Sequence, residues 1–337
     1  MRWGSYRRTC PRVRTIARFR CSLCRRTFSR QTFQTTYWLR RPGLLRKVCE
    51  GLLSGSGLRQ ISRFAGGSPS TIANHAARLG RHALLFLEAH RPRGEPGEPI
   101  TVDGFESFAY SQFYPLHLNL AVGTRSHFVY GLTESELRRK GRMTVAQKRQ
   151  RAVEEAEVGR PDPRAIERGM GELLALVVPA GARAHVHSDD HRAYPRALRR
   201  LRDRAFEHTV TPSKVARTPS NPLFPVNRQD EMLRHSGANH RRETIAFSKL
   251  RAAVIERAAL HMVWMSFVKS FSEKRQGATP AQHLGLTDHK LTIEELLGKR
   301  QFPSRVRLPE VWQRYYDRDV PTRRIPNHKR HTLSYAY

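Results

Sequence analysis

Apolar positions along the chain change their period from segment to segment, and each change predicts an element. Residues 1–42 are short basic and aromatic runs, with RWGSYRR read as one strand and FRCSLCRRTFS as strand, knuckle, strand. From 43 to 90 the apolar residues recur at helical spacing. LLRKVCEGLL stops at the glycines of GSG, 55–57, LRQISRFA gives a short helix to Ala65, and Gly66 and Gly67 make a tight turn. Ser68 or Ser70 then caps a long helix running through STIANHAARLGRHALLFLEAH. The proline- and glycine-rich 91–98 breaks the pattern and is expected to be an interdomain linker.

Beyond it the period shortens. PITVDGFESFAY, FYPLHLNLAVG and HFVYGL read as three consecutive strands. A helical insertion is expected over about 134–180, charged and exposed to 160 and ending in the buried helix DPRAIERGMGELLALVV. RAHVHSDD, RAYPRALRRLRD and FEHTVT follow as strand, helix, strand; the chain turns helical again at Val226, and 244–271 is predicted as one long helix. Three strands, then alternating helices and strands, imply an α/β domain over 99–275 with a mixed sheet flanked by helices. The stretch 276–337 is basic and mixed in pattern.

Charge narrows the function. The 337 residues hold 61 Lys and Arg against 29 Asp and Glu, a net +32 spread along the whole length, while 39% hydrophobic residues is enough for a core. A wholly disordered basic polypeptide and an ordinary metabolic enzyme are both disfavoured. No apolar run reaches the roughly 18–20 residues of a membrane span, and the Arg-rich N-terminus has no apolar signal region. The expectation is a soluble cytoplasmic protein, with no membrane partner, whose cationic surface binds nucleic acid by releasing condensed counterions.

The 43–90 segment, a short helix, a glycine turn and a longer helix, has the helix-turn-helix arrangement. Ser70, Thr71, Asn74, His75 and Arg78 near the start of its second helix are the expected DNA-reading residues. Four cysteines make no disulfide framework. Cys21 and Cys24 form a C-x2-C knuckle suited to two corners of a Zn2+ site, with Cys10 as a further candidate ligand. The flanking strands read as the second half of a zinc ribbon, whose first knuckle is expected upstream of Met1.

Two carboxylates are placed for chemistry. Asp103 lies midway or late in the first strand of the α/β domain and Asp189 just after the fourth, so a sheet edge can bring both to one point. Hard divalent cations take oxygen ligands, and such ions activate attacking and leaving oxygens in phosphodiester chemistry. Each aspartate alone is more often a turn residue or a helix cap. Glu106, three residues on, is expected on the opposite strand face from Asp103, and Asp190 is the neighbouring alternative to Asp189.

At this point VDGFESF, SDDHRAYPRAL and VNRQDEMLRHSGANHRRETIAFSK, in that order behind a knuckle and a helix-turn-helix, resemble bacterial insertion-sequence transposases of the DDE type, nearest the type-one insertion-sequence group. The likeness runs from about 17 to 270, and its most specific part is the ending RETIAFSK, Arg242 to Lys249. It implies an RNase H-like core, Mg2+ or Mn2+, cut-and-join chemistry on double-stranded transposon ends and target DNA, and a homo-oligomer on that DNA in the bacterial nucleoid. The resemblance makes Asp103 the first aspartate and Asp189, five residues before Tyr194, the second. The third position departs from the pattern: Asn227 stands where a glutamate is expected. Asp230, one helical turn on, is the favoured third carboxylate, with Asn227 as co-ligand or replacement. Arg228, Arg234, Arg241 and Arg242 in the same region are candidates for the phosphate backbone.

Overall fold

The structure, a computed structural model, describes residues 1–9, 13–272, 277–325 and 330–331. At the N-terminus β1 (Arg2–Arg8), β2 (Arg14–Arg20) and β3 (Thr27–Phe28) form a small antiparallel sheet, with Cys21 and Cys24 in the turn between β2 and β3. Cys10 lies outside the described residues. Three helices follow: α1 (Gly43–Leu53), α2 (Leu58–Ala65) and α3 (Pro69–His90). Ser68 starts α3 by accepting the Thr71 backbone N–H at 3.2 Å, with Pro69 in the first turn, where a missing N–H costs nothing.

The central sheet holds β4 (Ile100–Phe108), β5 (Pro115–Gly123), β6 (Val129–Glu136), β7 (Arg183–Ser188) and β8 (Ala205–Val210), in the order β6-β5-β4-β7-β8. The β4–β5 and β5–β6 pairs are antiparallel, and the β4–β7 and β7–β8 pairs parallel. This is the expected mixed α/β sheet, compatible with an RNase H-like core. β5 is buried along nearly its whole length because helices cover both faces of the sheet.

On one face lie α5 (Ala165–Val177) and α6 (Ala193–Arg200); α4 (Val145–Val158), ahead of them, has no buried residue. Leu173, Leu176 and Val177 of α5 close on Gly131 of β6, so α5 is a core layer and only α4 is peripheral. The other face takes α7 (Phe224–Ser236) and α8 (Arg251–Val263), α8 ending in a π-helical turn at Trp264–Val268.

The long helix expected over 244–271 starts only at Arg251. The Thr244 hydroxyl donates to Ala238 O at 2.8 Å and accepts the Ala246 N–H at 3.0 Å, while Tyr110 N donates to Ser248 O at 2.8 Å. These bonds tie 244–248 to the end of β4 as a loop instead of letting it propagate as helix.

Helices and sheet share one hydrophobic cluster running from Leu44 to Val320. At Gly80, α3 and α8 meet backbone to backbone: a Cβ there would lie 2.3 Å from Glu256 Cβ and 2.5 Å from its Cα. The segment 91–98 is pinned rather than free. Glu98 accepts the backbone N–H groups of Arg125 and Ser126 and the Tyr130 hydroxyl, and Glu95 accepts the Arg183 N–H.

The basic C-terminal stretch also joins this core, through α9 (Pro280–His283), α10 (Ile293–Gly298) and α11 (Glu310–Tyr316). Trp312 of α11 is fully buried and donates its Nε1–H to Leu132 O of β6 at 2.9 Å. Thr35 donates to Leu297 O, and Arg300 N donates to Phe33 O, so α10 also fastens the N-terminal segment. Among the described residues no helix is long and apolar enough to cross a membrane.

Candidate active site

The seam between β4 and β7 is short. Its paired rungs are Ile100 with Val186 and Thr101 with His187. Asp103 and Asp189 each stand two residues beyond the Thr101–His187 rung, at the same height on either side of the point where the parallel strands part. Open α/β sheets bind ligands in such crevices, at the carboxyl ends of strands. Asp190 is exposed, as is Glu106, one strand position out of phase with Asp103.

Asp103 is half-buried and its carboxylate is held from two sides. Oδ1 accepts the Gly104 backbone N–H at 2.7 Å and the Tyr194 hydroxyl at 3.2 Å, Tyr194 reaching over from the first turn of α6. Burial dominates all the same, and with the Asp189 charge nearby it pushes Asp103 up to about 6. Asp189 Oδ1 accepts the His191 N–H at 2.9 Å, so this aspartate also closes the turn into α6.

The third element is α7. Val226, Gln229 and Leu233 bury one stripe of it in the core, and Asn227, Asp230 and Arg234 form the adjacent stripe at the same spacing. Asp230 is half-buried, and its Oδ1 is enclosed with no hydrogen-bond partner. Burial, then the charge of Asp103, hold its carboxyl well above the usual carboxylate range. Tyr194 is likewise held above the usual phenol range by burial and by the charges of Asp103, Asp189 and Asp230, so the three aspartates lie within electrostatic reach of one hydroxyl. Among the described residues no three His, Cys, Asp or Glu side chains stand close enough together to ligate one ion as they are. An enclosed carboxylate oxygen without a donor, beside the like charge of Asp103, is nevertheless of the chemistry that a hard divalent cation satisfies.

The arginines divide by role. Arg234 lies over the Phe105 ring at 4.5 Å beside Asp230, and its pKa is lowered by burial and by neighbouring Arg242. Arg241 and Arg242 are exposed on the loop after α7. Arg228 turns away from the aspartates, donating to Phe271 O and stacking over that ring at 4.7 Å.

In α3 the structure brings Ser70 and Asn74 to the surface but turns His75 and Arg78 inward. His75 Nδ1 donates to Thr71 O, and Arg78 Nη1 donates to Thr35 O at 2.8 Å and Tyr37 O at 2.7 Å;. Arg78 therefore clamps the N-terminal segment onto the helices, and Thr71 serves the cap of α3. A guanidinium with carbonyl acceptors at hand is buried at lower cost than one left unpaired, which is why α3 does not present it to solvent.

In the β2–β3 turn the backbone N–H groups of Cys24 and Leu23 hold the pKa of the Cys21 thiol below its usual value. Cys24 is exposed and Cys49 is buried in α1.

Two further residues frame the site. His117 of β5 lies across Gly104, where a Cβ would fall 1.6 Å from His117 Cε1; its Nδ1 bonds Asn119 Oδ1 at 2.8 Å, and its ring faces His191 at 6.4 Å. The glycine directly after Asp103 is the one sequence signal for this packing. Arg217, exposed in the loop after β8, exerts its charge on both Asp103 and Asp230, and nothing in the local pattern of that loop announces it.

No protein-family model matches the chain, and no curated protein matches it. Among solved structures it is similar to the cryoEM structure of the simian T-cell lymphotropic virus intasome in complex with PP2A regulatory subunit B56 gamma. The identity is 13%, over 73% of this chain and 76% of that one, with a TM-score of 0.28. A superposition at this level sets no residue correspondence.

Proposed function

We propose that the protein is a metal-dependent DNA strand-transferase of the DDE transposase type, built on an RNase H-like core. The observation that carries this reading is the placement of Asp103 and Asp189 two residues past the last β4–β7 rung, with the enclosed Asp230 Oδ1 brought in from α7. Asp103, Asp189 and Asp230, with Asn227 one turn from Asp230, are the residues that would hold Mg2+ or Mn2+. A divalent cation bound there supplies the Lewis acidity that activates the attacking oxygen and stabilises the leaving one.

The chain's own groups do the rest. Tyr194 keeps the Asp103 carboxylate oriented, and above a pH of about 6 that carboxylate is ionised and ready to ligate. Arg217, Arg234 and Arg242 place cations around the aspartates and draw a phosphate backbone to them. Water attacks the phosphorus at a transposon end and the bond to the 3′ oxygen breaks, freeing a 3′-hydroxyl. That hydroxyl then attacks a target phosphodiester, making one P–O bond as another breaks and passing its proton to solvent. α2 and α3 serve as a helix-turn-helix, with exposed Ser70 and Asn74 reading DNA, and the β2–β3 knuckle is half of a zinc ribbon with Cys21 and Cys24 as ligands. Bringing two ends together requires a homo-oligomer on the DNA.

A second reading, a non-catalytic DNA-binding protein derived from such an enzyme, is favoured by Asn227, an uncharged amide at the position where the resemblance calls for glutamate. A joining assay on DNA carrying the sequences that flank the reading frame separates the two. Mg2+-dependent joined product that disappears in Asp103→Asn and Asp189→Asn supports the enzyme. DNA binding with no product under any metal condition supports the second reading.

A further inference from the structure

A cavity of about 540 Å3 lies between the N-terminal sheet and the turn around 35–40, remote in sequence from the aspartates. Tyr6, Phe28, Tyr37 and Trp38 give it aromatic walls, Arg7 and Arg18 are among the cations along it, and among the described residues no acidic side chain lines it. Its size is that of a site for one small planar ligand rather than for a duplex.

Trp38 is the unusual member. The residue is 64% exposed and its backbone sits at φ 64°, in the left-handed region that a bulky residue rarely adopts. Burial of apolar surface does not explain a tryptophan held in that way, yet its pose is built on both sides. Arg78 donates to the carbonyls of Thr35 and Tyr37, and Arg8 donates to the carbonyl of Leu39 at 2.7 Å. Tyr37 stands edge-on to the indole at 5.9 Å and carries the Arg300 guanidinium over its own ring at 5.3 Å. A strained backbone so over-determined, presenting a large aromatic face to solvent, is the mark of a binding device.

We propose that this cavity takes one unpaired nucleotide of a DNA strand, its base stacked on Trp38 and its phosphates on Arg7 and Arg18. Every base offers a π face, so stacking is tolerant of sequence, and guanidinium groups supply the backbone contacts. In a chain of net charge +32 an aromatic cavity without carboxylates favours a polyanion over a peptide. The inference rests on the DNA-binding reading above and deepens it: the N-terminal segment holds a frayed or single-stranded part of the DNA, while the duplex lies elsewhere on the protein.

The test uses the full chain and fluorescence anisotropy, with one labelled duplex either blunt or carrying a three-nucleotide single-stranded DNA tail. Wild type is expected to bind the tailed duplex about tenfold more tightly than the blunt one. Trp38→Ala is expected to remove that preference while leaving blunt-duplex affinity unchanged, and Trp38→Phe to restore most of it. Arg7→Gln is expected to lower affinity for the tail several-fold and to flatten its salt dependence. Equal wild-type affinity for the two duplexes, or a preference that persists in Trp38→Ala, overturns the proposal. Tighter binding of an RNA tail than of a DNA tail overturns its assignment to DNA. A protein that joins DNA ends without preferring the tail loses this pocket alone, whereas one that prefers the tail but joins nothing keeps the pocket and loses the transposase reading.

Discussion

Tyr194 reaches across the open end of the β4–β7 seam to donate its hydroxyl proton to Asp103 Oδ1 at 3.2 Å, joining the helix that follows one candidate ligand to the strand that carries the other. The bond favours the ionised carboxylate against burial. Its removal in Tyr194→Phe raises the Asp103 pKa further above its value of about 6. With hydrogen bonds to charged groups worth about 1.5–3 kcal/mol, the acid limb of the Mg2+-dependent rate profile is expected to move up by about one pH unit. A pH–rate profile superimposable on that of wild type contradicts this role.

Asp103 itself is a cost to the metal-free fold. Its pKa is raised from 3.8 to about 6, so the native state holds its proton more tightly than the unfolded chain, and stability falls as pH rises through that window. At pH 8 and without metal, Asp103→Asn is expected to be more stable than wild type by at most about 3 kcal/mol, a difference that closes below pH 4. Divalent cation at pH 8 is expected to raise the wild-type Tm and to have little effect at pH 5, where the carboxyl is protonated. Thermal denaturation with and without Mg2+ at the two pH values checks both statements.

Buried histidines act with the opposite sign. His82, His127 and His261 are lowered to about 4, and His240 to about 3, chiefly by burial;. Each is neutral in the fold and charges in the unfolded chain, so stability falls as pH drops from 6.5 towards 4, by on the order of 3 kcal/mol per histidine. Four such groups together outweigh the single Asp103 contribution and are comparable with the total stability of a typical domain, about 5–15 kcal/mol. Stability is therefore expected to fall steeply from about pH 6 and the protein to unfold by about pH 4, as circular dichroism across a pH series would register. A protein still folded at pH 4 contradicts it.

The C-terminal stretch is structural. Trp312→Ala leaves a cavity against β6 and strips Leu132 O of its donor, an expected loss of about 3–5 kcal/mol. Gly80→Ala drives a methyl into the α8 backbone at Glu256, an expected loss of about 1–3 kcal/mol or more. Urea denaturation measures each, and a neutral result at Gly80 contradicts the close crossing of α3 and α8.

Much of this architecture is legible in the sequence, because periodicity reports burial. The alternation in β4, the apolar run of β5 and the helical spacing of α1, α3 and α5 each reflect which face meets the core. Asp103 and Asp189 become candidates for a related reason, as acidic residues inside one apolar strand and just past the end of another. What the sequence conceals is non-local. Nothing near Trp312 or Arg300 says that they close onto β6 and the N-terminal segment, and a mixed basic pattern is read as surface. Arg78 has the position of a DNA-reading residue, yet acceptors some forty residues away draw it inward. Thr244 and Ser248 stop a helix that their own apolar neighbours would continue, through bonds to Ala238 and to the end of β4. Asn227 and Asp230 share one helix face, and the sequence prefers Asp230 for its charge; what it does not show is that Asp230 Oδ1 is enclosed without a hydrogen-bond partner.

The most direct test of the central claim is metal-specificity switching in the joining assay. A thiolate accepts Mn2+ more readily than the harder Mg2+, so Asp→Cys at a true ligand position is expected to abolish product in Mg2+ and to restore part of it in Mn2+. The account predicts this switch for Asp103→Cys, Asp189→Cys and Asp230→Cys, and a much smaller effect for Asn227→Cys. Full activity of Asp230→Cys in Mg2+, or a switch at Asn227 without one at Asp230, contradicts the assignment of the third carboxylate. Full Mg2+ activity of all three aspartate variants contradicts the metal site itself.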